Sequence, residues 1–304
     1  MNFLSHSSPL QFVHSALFPG IKLWVKRDDL LHPQVSGNKF RKLKFPLLSL
    51  KDDRDRHTVV SMGGIWSNHL HALAHAGRLS GLQTIGLVRG LRDPTSPLSA
   101  CLQDCVEAGM QLHFLSRLEY RQLRDKPSAW QNHIDRNPDE CLWLPEGGSS
   151  SAAVGGVAEV VLEILEALGE LPEHIVLACG TGATLAGVVA GMQNQGKVIG
   201  IAAVQNTHYL PDEVDKLLSL AGFPPAENFK ILHNFTHGGF AKTSPDLLKF
   251  CDEFSAETLI PIEPVYTGKM FYALHKLCLM GEFNLGEKIV AIHTGGLQGK
   301  RGFI

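Results

Sequence analysis

The sequence has almost no net charge: 28 Lys and Arg stand against 30 Asp and Glu, a formal balance of −2 with His neutral. Such a surface offers no field to gather nucleic acid or anionic lipid, so neither partner is expected. No apolar stretch approaches the roughly 20 residues that span a bilayer. The opening MNFLSHSSPLQFVHSALFPG has neither a basic start nor an unbroken apolar run, and an ordinary signal peptide is not expected. No C-x-x-C pair occurs among Cys101, Cys105, Cys141, Cys179, Cys251 and Cys278, which suits a reducing, cytoplasmic setting. Cys101 and Cys105 fall on one face of an expected helix, where thiols pack as small apolar groups. Fixed-period repeats and low-complexity tracts are missing as well.

Glycine, by contrast, is plentiful: 30 of 304 residues, about a tenth against a usual share of roughly 7%. It follows no G-X-Y period, so a collagen-like chain is excluded. Strand-like and helix-like segments alternate. Strands are expected over 57–62, 83–88, 111–115, 141–144, 175–178 and 198–204, and helices over 67–78, 97–107, 158–168 and 184–192. Alternation of this kind means βαβ units and an α/β fold with parallel sheet, in two lobes with a ligand cleft at strand C-termini. The polar stretch 119–139 reads as irregular and is expected to end a first unit before the strand pattern restarts at 141.

Four glycine-bearing clusters carry the chemistry. In CGTGATLAG (179–187) a strand runs into a helix, so the amides of Gly180, Thr181, Gly182, Ala183 and Thr184 can face an anion with help from the helix dipole. A dinucleotide fold needs a third glycine where Leu185 stands, and an acidic residue about 20 positions on where 200–204 is apolar. SGNKFRK (36–42) places Lys39 and Lys42 on one face of a helix start that Ser36 or Asn38 can cap. Cations are unfavourable there, which points to a bound anion or to an amine of lowered pKa. GGIWSNH (63–69) offers Ser67 and Asn68 as caps or ligand contacts. His71 and His75 have zinc-ligand spacing, but the H-E-x-x-H glutamate is missing, and no metal is expected. EPVYTGK (263–269) and AIHTGG (291–296) put Tyr266 and Thr294 at further strand ends.

Taken in order, LWVKRDDLLHPQVSGNKFRKL, GGIWSNH, PEGGSS, GTGAT, EPVYTGKM and AIHTGGLQG resemble the 1-aminocyclopropane-1-carboxylate deaminase and D-cysteine desulfhydrase family, over about residues 23–299. The resemblance implies the two-domain tryptophan synthase β-like fold (fold type II), with parallel-rich sheets flanked by helices and pyridoxal 5'-phosphate in the interdomain cleft. It further implies a larger domain from residues 1–42 plus 145–304, a smaller α/β domain over 43–144, and a homodimer. Lys39 would carry the cofactor as an internal Schiff base and then act as the proton-transfer base. Residues 180–184, with Lys42, would bind its phosphate, Asn68 its phenolic oxygen, and Thr294, with Thr267, its pyridine nitrogen. Ser67 and Tyr266 would act on a small amino-acid substrate, whose pocket Asn68, His69 and Phe240 would complete.

Three departures from the family bear on the substrate. Thr267 follows the tyrosine where the cyclopropane deaminases have Glu, which weakens the electron sink and favours D-cysteine, converted to pyruvate, sulfide and ammonia. Phe240 stands where a second tyrosine is usual, and His71 replaces an arginine. Opening of 1-aminocyclopropane-1-carboxylate to 2-oxobutanoate and ammonia is the alternative. A nucleotide-binding oxidoreductase and a catalytically silent ligand-binding relative are further rivals.

Overall fold

Runs such as TVVSMG and HIVLAC are mostly apolar and do not alternate, as suits strands covered on both faces by helices. The computed structural model describes residues 6–51, 53 and 55–303. Its strands are β1 (Leu10–Val13), β2 (Lys22–Lys26), β3 (Thr58–Gly63), β4 (Gln83–Arg89), β5 (Gln111–Leu115), β6 (Cys141–Leu144), β7 (His174–Cys179), β8 (Lys197–Ala202), β9 (Phe229–Leu232) and β10 (Lys288–Ile292). Its α-helices are α1 (Asn38–Leu48), α2 (Asn68–Ser80), α3 (Ala100–Glu107), α4 (Arg117–Asp125), α5 (Ser151–Leu168), α6 (Ala183–Met192), α7 (Leu210–Leu220), α8 (Pro245–Thr258) and α9 (Thr267–Leu279).

Two sheets form, in the orders β5-β4-β3-β6 and β1-β2-β10-β7-β8-β9. All pairings are parallel except that of the edge strand β1 with β2. Along β7 the side chains alternate between two cores. Ile175, Leu177 and Cys179 pack toward α5 and α6, while Val176 and Ala178 pack toward α8 and α9. Because the pairing is parallel, the carboxyl ends of the strands within each sheet share an edge, and their glycine turns meet there.

The expected strands lie within two residues of β3 to β8. Three expectations fail. The stretch 119–139 is not irregular: Ser116 and Glu119 form a reciprocal capping box that starts α4, which buries Tyr120 and Leu123. A 3₁₀ segment, Pro127–His133, follows and stacks Trp130 on Trp143 at 6.0 Å. Nor does residue 141 open a new unit, since β6 pairs with β3 from Cys141 opposite Thr58 to Leu144 opposite Ser61. Helix α5 also begins at Ser151 rather than 158, capped by Ser150, whose hydroxyl accepts the Ala153 N–H at 3.2 Å.

Helix α1 is fixed from behind by ions. Arg41 donates to both carboxylate oxygens of Asp28 at 2.7 Å and to those of Glu163, on α5, at 2.7 and 2.9 Å. Lys26 also pairs with Glu163. Burial acts to raise the Glu163 carboxyl, but Arg41 and Lys26 outweigh it and hold its pKa at about 2. Close approach of α5 to α1 requires Gly156, where a Cβ would lie 2.3 Å from the Arg41 carbonyl oxygen.

Gly156→Ala should therefore destabilise the protein by about 1–3 kcal/mol, as overpacking does. Gly155→Ala, whose Cβ would meet only the Phe45 ring at 3.4 Å, should be neutral or stabilise by up to about 1 kcal/mol; urea midpoints give both. The Glu163 pKa lies below its ordinary 4.5, so its stabilisation, about 3 kcal/mol, is present above pH 4.5 and lost as pH falls toward 2. Glu163→Gln should flatten the acid limb of a stability profile in that window.

Candidate active site

Gly37 is the N-cap of α1, with φ of 65°. A Cβ there would sit 1.9 Å from the carbonyl oxygen of Thr294, so the turn before α1 packs backbone to backbone on the turn after β10. The expected side-chain cap from Ser36 or Asn38 is not made. The Asn38 amide instead donates to Thr184 Oγ1 at 2.8 Å, joining the first turns of α1 and α6. Between β7 and α6 the chain passes through Gly180, Thr181 and Gly182, the last at φ 87°, and Ala183 and Thr184 open the helix with no acidic residue in its first turn.

Lys39 and Lys42 both reach toward the carbonyl oxygen of Gly147, at 3.3 and 3.2 Å, and Lys42 lies 3.5 Å from Thr181 Oγ1. Ser149 donates to that same Thr181 oxygen at 2.6 Å. Burial lowers the Lys39 pKa to about 8, partly countered by its contact with Lys42 and by the Glu146 carboxylate. Burial and then the charge of Lys39 hold Lys42 well below its ordinary value. Two desolvated amines between the first turns of α1 and α6, with no carboxylate bonded to either among the described residues, make a place for an added anion.

His69 forms the wall behind them, 2% exposed. Ser61 donates to the Leu144 carbonyl at 2.8 Å and lies 2.9 Å from His69 Nε2. The ring therefore donates from Nε2, and its buried Nδ1 is an acceptor without a partner among the described residues. Burial, Lys39 and Lys42 keep it neutral by pushing its pKa well down. Ser67 caps α2, accepting the Leu70 N–H at 3.2 Å. Asn68 follows, with Oδ1 accepting from Gln298 Nε2 at 2.9 Å and Nδ2 against Gly296, where a Cβ would come within 2.7 Å.

At the opening of α9 the buried Glu263 carboxylate accepts the N–H groups of Val265, Tyr266 and Thr267 at 2.7, 2.9 and 2.7 Å. Burial raises its pKa against the pull of those bonds. This cap aims Tyr266 across the cleft, where a Cβ on Gly180 would lie 3.3 Å from the ring. Burial, then Glu263, raises the phenol above its ordinary value. The Phe240 ring stands edge-on to Tyr266 at 6.2 Å.

Lys39, Lys42, Asn68, His69, residues 180–184, Tyr266, Phe240 and Thr294 thus line adjoining turns. Thr267 does not join them: it is fully buried, and its hydroxyl donates to Glu263 Oε1 at 3.1 Å. Thr294, at the end of β10, makes no side-chain hydrogen bond among the described residues. His71 bonds Asp104 at 3.2 Å and lies beside His75, the ring centroids 4.6 Å apart and tilted by 58°. Both face a separate cavity of about 360 Å³ beyond Asn68. No group of three or more His, Cys, Asp or Glu could hold a metal ion among the described residues. Glu263 and Gln298 had no assigned role from sequence, and Asn38 was expected only as a helix cap.

Comparison with known proteins gives a match to the family model described as pyridoxal-phosphate dependent enzyme over residues 7–295. The bifunctional D-cysteine desulfhydrase/1-aminocyclopropane-1-carboxylate deaminase of Arabidopsis thaliana is 32% identical over 92% of this chain and 73% of its own length. A putative 1-aminocyclopropane-1-carboxylate deaminase of Pyrococcus furiosus is 28% identical over 96% of this chain and 90% of its own. Among solved structures, an ACC deaminase homologue superposes with a TM-score of 0.78 at 26% identity, covering 98% of this chain and 91% of that one.

In cofactor-free protein, labelling of Lys39 by an amine-directed reagent, read by mass spectrometry against pH, should show a midpoint near 8. A midpoint near 10.5, the ordinary lysine value, would contradict the burial on which the site depends.

Proposed function

This chain belongs to the pyridoxal-phosphate dependent enzyme family, and on that premise we propose that it is a lyase or deaminase of small amino acids, D-cysteine foremost. The observation that carries the reading is the pair Lys39 and Lys42, both on α1, whose desolvated amines meet at the Gly147 carbonyl beside the turn before α6, with no bonded carboxylate among the described residues. That arrangement fits a phosphate-bearing aldehyde. Amides of residues 180–184 and Lys42 would hold the phosphate, Asn68 and Thr294 the ring, and the Lys39 amine the aldehyde carbon. Bound there, pyridoxal 5'-phosphate supplies an electron sink for the pair released when a bond at the substrate α-carbon breaks.

The residues divide the remaining work. Lys39, neutral above about pH 8, takes the proton from the substrate α-carbon. Ser67 accepts from Leu70, which leaves its hydroxyl hydrogen to bond the substrate carboxylate. Tyr266, with its pKa raised, stays protonated and can donate to the departing sulfur. Water then completes the balance: D-cysteine plus water yields pyruvate, hydrogen sulfide and ammonia. With Thr267 committed to Glu263, a neutral hydroxyl from Thr294 is left for the ring nitrogen. That weaker sink suits removal of an α-proton with loss of a good leaving group. The cyclopropane substrate has no α-hydrogen and demands more.

The six cysteines are free and buried, which supports a reducing, cytoplasmic setting. No helix among the described residues is long and apolar enough to cross a membrane. The family resemblance implies a homodimer, for which light scattering should report twice the chain mass.

Release of 2-oxo acid from D-cysteine, L-cysteine and 1-aminocyclopropane-1-carboxylate tests the assignment. D-Cysteine should be turned over fastest, and Lys39→Ala should lower the rate by about 10²–10⁴-fold. Faster 2-oxobutanoate release from the cyclopropane acid would reverse the order of the two substrates.

A further inference from the structure

Helix α9 carries a lysine that the reaction above does not use. Lys269 has no exposed surface. Its Nζ donates to the carbonyl of Ala203, just past β8, at 2.9 Å and to that of Gly239 at 2.7 Å. It forms no ion pair among the described residues. Burial lowers its pKa to about 8, and Glu263 only partly offsets this. A buried ammonium ion held by neutral carbonyls is a poor way to fill space, because an apolar side chain would pack there without the desolvation penalty. What the charge secures is the two hydrogen bonds.

One of them grips a strained loop. His237, Gly238, Gly239 and Ala241 have φ of 50°, 93°, 116° and 54°, a region that His and Ala rarely adopt. Gly239 is the hub: its N–H donates to the Thr236 carbonyl at 3.0 Å, and its own carbonyl accepts the Lys242 N–H at 3.1 Å as well as the Lys269 ammonium. Phe240, 45% exposed, projects from this loop with its ring edge-on to Tyr266.

We infer that Lys269 is a positioning residue that locks the loop 236–241 through the Gly239 carbonyl, so that Phe240 forms a fixed wall selecting the substrate side chain beside Tyr266. The selection rests on the function proposed above; the locking does not. A phenyl edge without a hydroxyl favours a short side chain ending in a soft, polarizable group such as a thiol over one ending in a carboxylate.

The test is Lys269→Met in the holoenzyme, with hydrogen exchange of the 237–242 amides measured without substrate. Exchange should speed by about tenfold or more there and stay unchanged elsewhere. With D-cysteine, KM should rise about fivefold while kcat falls by less. That KM effect should vanish in a Phe240→Ala background, since the lysine acts through the phenyl ring. Unchanged loop exchange, or a KM effect that persists in full without Phe240, would overturn the inference. If Lys269→Met does not fold, Gly239→Ala attacks the same contact from the loop side and should give the same exchange and KM pattern; wild-type values would overturn the inference equally. If D-cysteine is not turned over, the exchange measurement alone decides the locking, so that failure of the substrate assignment stays distinguishable from failure of the lock.

Discussion

Arg41 holds the structure's most consequential contact. It sits between Lys39 and Lys42 in sequence, but two residues past Lys39 means roughly the opposite side of α1. From there it grips Asp28 behind β2 and Glu163 on α5. Breaking a buried pair of this kind by removing one partner costs about 3–5 kcal/mol. That strength is what keeps α1 seated while its other face carries two desolvated amines. The ion cluster and the lysine pair are therefore one device, in which favourable charge on one face of a helix supports unfavourable charge on the other.

Bare backbone does the rest of the positioning. Gly37 lets the turn before α1 touch Thr294, Gly156 lets α5 approach α1, and Gly296 admits the amide of Asn68. In each case a Cβ would fall well inside contact distance of a fixed group. At these three positions glycine stands where two backbones, or a backbone and a site residue, need the same space. Buried capping adds direction: Glu263 gathers three N–H groups at the start of α9, and Tyr266 is aimed as a consequence. The same cap takes the Thr267 hydroxyl out of the cleft.

Much of this was legible in the chain. The short apolar and β-branched runs of β3 to β8, the strand-to-glycine-to-helix turns at 63–69 and 179–184, and the unfavourable cations at the start of α1 all express rules that act over a few neighbours. Helix α4 was legible too, through Ser116 and Glu119, but its polar composition masked two buried residues that suffice to seat it. The edge strand β1 and the return of β6 to β3 were not, because pairing partners lie tens of residues away and leave no local mark.

The sequence by itself determined the α/β architecture, the lysine with a strand-to-helix glycine turn, and the set of turns that could surround a cofactor, since propensity, periodicity and turn chemistry are local. Only the tertiary structure decided which hydroxyls remain free in the cleft, which amines are desolvated, and how Phe240 stands against Tyr266. A pKa or a side-chain direction is a sum over burial and charge contributed by distant segments: Gly147 beside Lys39, Glu163 beside Arg41, Gly239 beside Lys269. No stretch of the chain contains those sums until it is folded.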